Sequence, residues 1–154
     1  DLASLAAQKR QVLLCEVPDS LPELEGDPQR LGQVVRNLLI NAIKHTGKGS
    51  TIRITAETSH GWLRCAVIDE GAGIAPEDHP KLFQRFMRLS RSGERGAGLG
   101  LFIAKAIVTA HDGEIGVRSG SGEGSTFWFT LPLETASKQQ GGSNLASGRS
   151  EPLP

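Results

Sequence analysis

Two periodicities divide the chain. Between Asp27 and Thr46, the apolar residues Leu31, Val34, Val35, Leu38, Leu39 and Ala42 recur at spacings of three and four, which predicts one apolar helix face. Asp27 is placed to cap that helix, with Pro28 at its first position, the expected start signal. Leu99, Phe102, Ile103, Ala106, Ile107 and Ala110 predict a second amphipathic helix by the same spacing. Elsewhere the period is two. Ile52, Ile54 and Ala56 alternate within Thr51 to Thr58, and Leu63, Cys65 and Val67 within Trp62 to Asp69; the "SHG" between them reads as a turn, so the pair is an antiparallel hairpin. Phe127, Phe129 and Leu131 alternate through Ser125 to Leu133. Gln11 to Val17, stopped by Pro18, and Gly113 to Ser119 complete the strands. "PEDHPKLFQRFMRL" reads as a short helical stretch interrupted by Pro80, and "SRSGERGAG" as a loop. Together these elements predict an α+β fold: a two-layer α/β sandwich, with a mixed, mostly antiparallel sheet carrying helices on one face.

Composition narrows the setting. The chain has 154 residues, enough for one domain with a core. From Thr135 onward it is rich in Ser, Gly and Gln and has no aromatic residue, so 1–134 is expected to be the folded domain and 135–154 a disordered tail or linker. Lys plus Arg equals Asp plus Glu, 17 against 17, which gives no global basic field for nucleic acid. No apolar run approaches the ~20 residues of a membrane helix. Cys15 and Cys65 lie in apolar strand-like runs and show no metal spacing; free buried thiols are the expectation.

Three local patterns carry candidate chemistry. "DEGAGI" (Asp69 to Ile74) follows a buried strand, as either a plain turn or a loop whose backbone approaches a ligand read by the acid. Asn37, Asn41 and Lys44 fall on a narrow stripe of the first long helix, away from its apolar face. That stripe is either a solvated face or a surface for magnesium and phosphate, because an amide oxygen is a hard ligand and a lysine can meet phosphate oxygens. "GAGLGL" places Gly96, Gly98 and Gly100 at the start of the second helix, as a hinge or as backbone N–H groups open to an anion.

In order, "NLLINAIKHT", "DEGAGI", "LFQRF", "GAGLGL" and "GEGSTF" resemble the catalytic and ATP-binding domain of sensor histidine kinases, in the superfamily shared with gyrase-type, heat-shock chaperone and mismatch-repair ATPases. The resemblance covers about Leu13 to Leu133 and implies the Bergerat-type ATP-binding sandwich, with ATP and Mg²⁺ as cofactors. It assigns Asn41 to the metal, and Asn37 and Lys44 to the phosphates. It places Phe83 and Phe86 at the base of an ATP lid spanning Met87 to Arg95, with Arg85 and Arg88 as candidates to reach the γ-phosphate. Gly96, Gly98 and Gly100, with Leu99 and Leu101 between and after them, would line the phosphates. Asp69 would accept a hydrogen bond from the adenine amino group, which guanine does not offer. Gly71, Gly73 and Ile74 would carry the loop past the base, and Thr126 would sit beside the pocket floor. Two departures stand out: His45 where the family often has tyrosine, and Asp112 where glycine is usual.

The resemblance also bears on the reaction. ATPases of the superfamily usually carry a glutamate base one turn before the metal asparagine, where this chain has Asn37. An amide cannot take a proton at neutral pH, and phosphoryl transfer to an imidazole needs positioning more than a base. The implied activity is therefore a protein-histidine kinase, against the alternatives of an ATP-driven clamp or a nucleotide-sensing pseudokinase. The acceptor histidine would belong to a separate dimerisation domain and the downstream partner would be a response-regulator receiver domain. The isolated domain is expected to be a cytoplasmic monomer, within a full-length homodimer that can be membrane-anchored. The chain's own four histidines have structural readings: His60 in the hairpin turn, His79 before Pro80, His111 as a cation at a helix C-terminus, and His45 beside the nucleotide.

Overall fold

The computed structural model describes residues 1–86 and 98–133. Its elements run α1 (Leu2–Gln8), β1 (Val12–Glu16), α2 (Pro28–His45), β2 (Thr51–Ser59), β3 (Trp62–Asp69), a 3-10 helix (Pro76–Lys81), α3 (Gly100–Ala110), β4 (Glu114–Ser119) and β5 (Ser125–Pro132). The strands form one sheet in the order β1-β2-β3-β5-β4, with β1 parallel to β2 and every other neighbour antiparallel. The expected sandwich is the observed fold, with α1 added to it. The expected tail at 135–154 and lid at Met87 to Arg95, with Gly96, lie outside the described residues.

Local signals set the boundaries. Asp27 has extended backbone, and its Oδ1 accepts from the N–H groups of Gln29 at 2.9 Å and Arg30 at 3.1 Å, with Pro28 next to it. His60 and Gly61 both have positive φ, 49° and 81°, and Ser59 pairs with Trp62, so β2 and β3 close through a two-residue turn of the hand that strand twist favours. The expected interruption at Pro80 is not seen: Pro80 lies inside the 3-10 helix, which runs on to Lys81.

One face of the sheet is buried. Val34, Leu38 and Ala42 of α2 and Ala104, Ile107 and Val108 of α3 share a core with Ile52, Val67 and Phe127. Register places Cys15, Ile54, Val67, Phe127 and Val117 in one row across the five strands. The next row, two residues (about 7 Å) along the strands, holds Leu13, Ile52, Asp69, Ser125 and Ser119. It is apolar at one end and polar at the other.

Three expectations are corrected here. The buried face of α3 is Ala104, Ile107 and Val108, while Ala106 and Ala110 are exposed and Phe102 is 39% exposed. α3 is apolar around most of its circumference, so spacing alone fits more than one face, and packing against α2 chose. Cys15 is exposed on the edge strand β1; Cys65 is buried, and burial pushes its thiol up to about 11. His111 does not act as a cation: Nε2 accepts from the Asp27 N–H at 3.1 Å and Nδ1 donates to the Ile107 carbonyl at 2.8 Å, which fixes a neutral tautomer.

The departure at Asp112 has a structural consequence. The N–H of Asp112 reaches Thr109 O at 3.1 Å and that of Gly113 reaches Val108 O at 3.0 Å, the paired bonds of a Schellman cap, with Asp112 at φ 57°. An L-residue is strained there and glycine is not. Asp112→Gly is therefore expected to raise the unfolding free energy by about 0.5–1 kcal/mol in urea titrations, and a decrease would contradict this account of the cap.

Candidate functional site

The end of β3 delivers Asp69 onto the helix-covered face, where it is only 5% exposed. Its Oδ1 accepts from the Gly71 N–H at 2.9 Å. Burial pushes the Asp69 carboxyl above the usual carboxylate value, while backbone hydrogen bonds from Gly71 and Ser125 and the nearby His45 pull it partly back. A charge is thus kept beside the core with few partners, which folding alone does not favour.

The glycines around it are demanded by packing. A Cβ on residue 71 would stand 2.8 Å from Asp69 Oδ1 and 2.9 Å from the His45 carbonyl oxygen. Gly73 has φ 73°, and a Cβ there would collide with the Gly120 carbonyl. Gly71 and Gly73 are required by this loop with or without a ligand, so the buried carboxylate is the informative residue. Ile74 packs partly against the core, and its N–H donates to Ser119 Oγ at 2.8 Å. Ser119 Oγ in turn meets Gly124 O at 2.6 Å and Ser125 Oγ at 3.0 Å.

The stripe on α2 runs from this loop to the start of α3. His45 and Lys44 are exposed at the loop end, and Asn41 and Asn37 are half-buried further along. Asn37 Nδ2 donates to Gly100 O at 3.0 Å, which joins the stripe to the first turn of α3 and leaves Asn37 Oδ1 available. A Cβ on Gly100 would lie 3.8 Å from the Asn37 side chain, an ordinary contact, so packing does not by itself require glycine there. Leu99 precedes α3 and offers no side-chain cap, and Gly98 before it has φ 66°. Open N–H groups at a helix start suit an anion. Leu101 packs partly into the core behind them.

Two expected roles are not met. Thr126 pairs with Ile68, so it lies on the opposite face of the sheet from Asp69; Ser125 is the residue opposite Asp69 and is buried. Strand parity carried that signal already, since Phe127, Phe129 and Leu131 place Ser125 on the core face. Phe83 meets Phe127 edge-to-face with ring centroids 6.4 Å apart, but Phe86 is 62% exposed at φ 61°, beneath the exposed Arg85 guanidinium at 4.9 Å. Only one of the two phenylalanines anchors its segment. Arg88 and Gly96 lie outside the described residues.

A profile described as "Histidine kinase-, DNA gyrase B-, and HSP90-like ATPase" matches residues 26–135. The chain belongs to that ATPase family. Adaptive-response sensory kinase SasA of Synechococcus elongatus is 46% identical over 128 residues, covering 81% of this chain and 33% of the relative. Full-length ShkA in complex with AMPPNP superposes with a TM-score of 0.77 at 32% identity, over 86% of this chain and 27% of that one. The nucleotide-free catalytic domain of histidine kinase ThkA gives 0.75 at 29%, over 86% and 85%. This member of the ATPase family spans about a third of the length of the curated relatives it matches. Among the described residues no helix is long and apolar enough to cross a membrane.

The raised carboxyl of Asp69 makes a stability prediction with a definite sign. A carboxyl whose folded value is raised favours the folded state at low pH, and that contribution is lost as pH rises through the folded value. Asp69→Asn, which keeps an acceptor for Gly71 and removes the charge, should therefore leave the empty domain at pH 7 at least as stable as wild type in urea. The difference should shrink as the pH falls through the raised folded value, where the wild-type carboxyl also takes up its proton. A substantial loss of stability at pH 7 would mean that the ionised carboxylate holds the fold together.

Proposed function

We propose that the chain is the catalytic domain of a sensor histidine kinase, binding ATP with Mg²⁺ and passing its γ-phosphoryl group to a histidine on a separate helical domain. The observation that carries this reading is Asp69: a buried, acceptor-only group at the mouth of a strand, held at a cost to the empty domain. An adenine amino group would add a donor to those of Gly71 and Ser125, and a guanine carbonyl would face it with another acceptor. Ser125, opposite Asp69, takes the place beside the base that the sequence assigned to Thr126.

The phosphates would then run along Asn41, Lys44 and Asn37 towards Gly98 and Gly100, with the exposed Arg85 as the cation that would reach the γ-phosphate. Among the described residues no three His, Cys, Asp or Glu side chains gather to hold an ion. Asn41 fits a magnesium ion that arrives with the nucleotide's own oxygens, since its half-buried amide has no hydrogen-bond partner among the described residues. Magnesium bound there would screen the triphosphate charge. Asn37 supports kinase over clamp: its amide nitrogen is committed to Gly100 O, and neither atom of the amide can serve as a base for water. The histidine-bearing domain, and a receiver domain after it, are the partners this reading requires.

Calorimetry with Mg²⁺ is expected to show GTP binding about 100-fold more weakly than ATP, and Asp69→Asn losing most ATP affinity. Equal affinities in the wild type would remove the adenine assignment. In single-turnover incubations with γ-labelled ATP, this chain alone should stay unlabelled and hydrolyse ATP negligibly, while an added helical histidine domain becomes labelled. Sustained phosphate release without that domain would favour the clamp.

A further inference from the structure

The end of α2 lacks an ordinary cap. Thr46 is extended rather than left-handed, so α2 does not end in a Schellman or αL cap. Ala42 O accepts from the Thr46 hydroxyl. Ile43 O accepts from Lys9 Nζ at 2.9 Å and Gln11 Nε2 at 3.2 Å, and Lys44 O from Lys9 Nζ at 2.8 Å. Just beyond the helix, Thr46 O accepts from Gln11 Nε2 at 3.0 Å and from Lys9 Nζ at 3.5 Å, and Gly47 O from Gln11 Nε2 at 3.2 Å. One cation and one buried amide therefore hold the C-terminal end of the helix that carries the polar stripe. The cation also matches the negative end of the helix dipole.

These two side chains come from a rigid source. Gln11 N–H reaches Ala6 O and Arg10 N–H reaches Ala7 O, each at 2.9 Å, with Arg10 at φ 53°; this Schellman-type cap closes α1 and turns Lys9 and Gln11 towards α2. Ala6 is buried in the core, and Gly49 N–H donates to Lys9 O at 3.0 Å, so the loop leaving α2 is tied to the same junction. The His45 carbonyl lies beside Gly71, close enough that a Cβ on Gly71 would stand 2.9 Å from its oxygen.

We propose that Lys9 and Gln11 are positioning residues for the nucleotide site: by holding the carbonyls of Ile43, Lys44 and Thr46 they set the place of the His45 carbonyl, and through it the Gly71 backbone that orients Asp69. The chain of contacts is Lys9 and Gln11 to the end of α2, His45 O to Gly71, and Gly71 N–H to Asp69 Oδ1. A shift of α1 then reaches the group that reads the base without any residue of α1 touching nucleotide. The inference rests on the assignment of adenine to Asp69.

The test is ADP binding by calorimetry, together with urea unfolding and the backbone amide spectrum of the empty chain. Lys9→Met should weaken ADP binding about tenfold and displace the Gly71 amide resonance. Lys9→Arg, which returns cationic donors to the same carbonyls, should restore both, and Gln11→Met should act in the same direction if Lys9→Met fails to fold. Wild-type affinity with an unmoved Gly71 resonance in the folded Lys9→Met or Gln11→Met variant would overturn the proposal, as would a loss that Lys9→Arg does not repair. The wild-type control separates the two readings: if GDP binds as tightly as ADP the adenine assignment fails, whereas discrimination with no effect of Lys9 or Gln11 rejects only the positioning role.

Discussion

Val34, Leu38 and Ala42 leave no exposed surface, and everything else in the site hangs on where they hold α2. Packed with Ile52, Val67 and Phe127, they fix both the rotation and the height of the helix over the sheet. A helix fixed in rotation has a fixed opposite edge, so the polar stripe of Asn37, Asn41 and Lys44 can face nothing but the gap between the β3 loop and the first turn of α3. Burial of three small or medium apolar side chains is thus what places an amide oxygen and an ammonium along a single line. The Asn37 to Gly100 bond and the His111 to Asp27 bond then tie α2 to α3 near each end of the pair.

The same packing explains why the carboxylate is affordable. Asp69 sits one row beyond Val67 and Phe127, at the polar end of a row whose other end is Leu13 and Ile52. It is close enough to the core to lose water and close enough to the edge to gain the N–H groups of Gly71 and Ser125. The result is an acceptor-only group whose charge is disfavoured by burial at the mouth of the strand, which is the physical form a selective base-reading group takes. Stability and recognition oppose each other at this one residue.

Much of this was legible from local pattern. The Asp27–Pro28 start, the helix face from Leu31 to Ala42, the hairpin at His60–Gly61 and the alternation through Phe127, Phe129 and Leu131 each rest on the chemistry of neighbouring residues. Where local pattern was ambiguous it failed. α3 is apolar on several sides and α2 selected the face, so Phe102 emerged and Ala104 went in. The resemblance assigns Thr126, whereas the period of the strand puts Ser125 inward, opposite Asp69. His111 was read as a cation because the helix end favours one, before Asp27, 84 residues away, claimed its ring nitrogen.

By itself, the sequence determined the elements other than α1, the sandwich, the family and the residue types available to a nucleotide, because helix and strand periods, caps and turns are governed by interactions a few residues long. Only the tertiary structure decided which of those residues meet. That Gly71 lies where a Cβ would strike the His45 carbonyl, that Asn37 donates its N–H to Gly100, and that Lys9 and Gln11 close the end of a helix more than thirty residues away are juxtapositions of segments distant in the chain. Their partners are backbone carbonyls, which every residue has. No pattern of side chains along the sequence could have pointed to them.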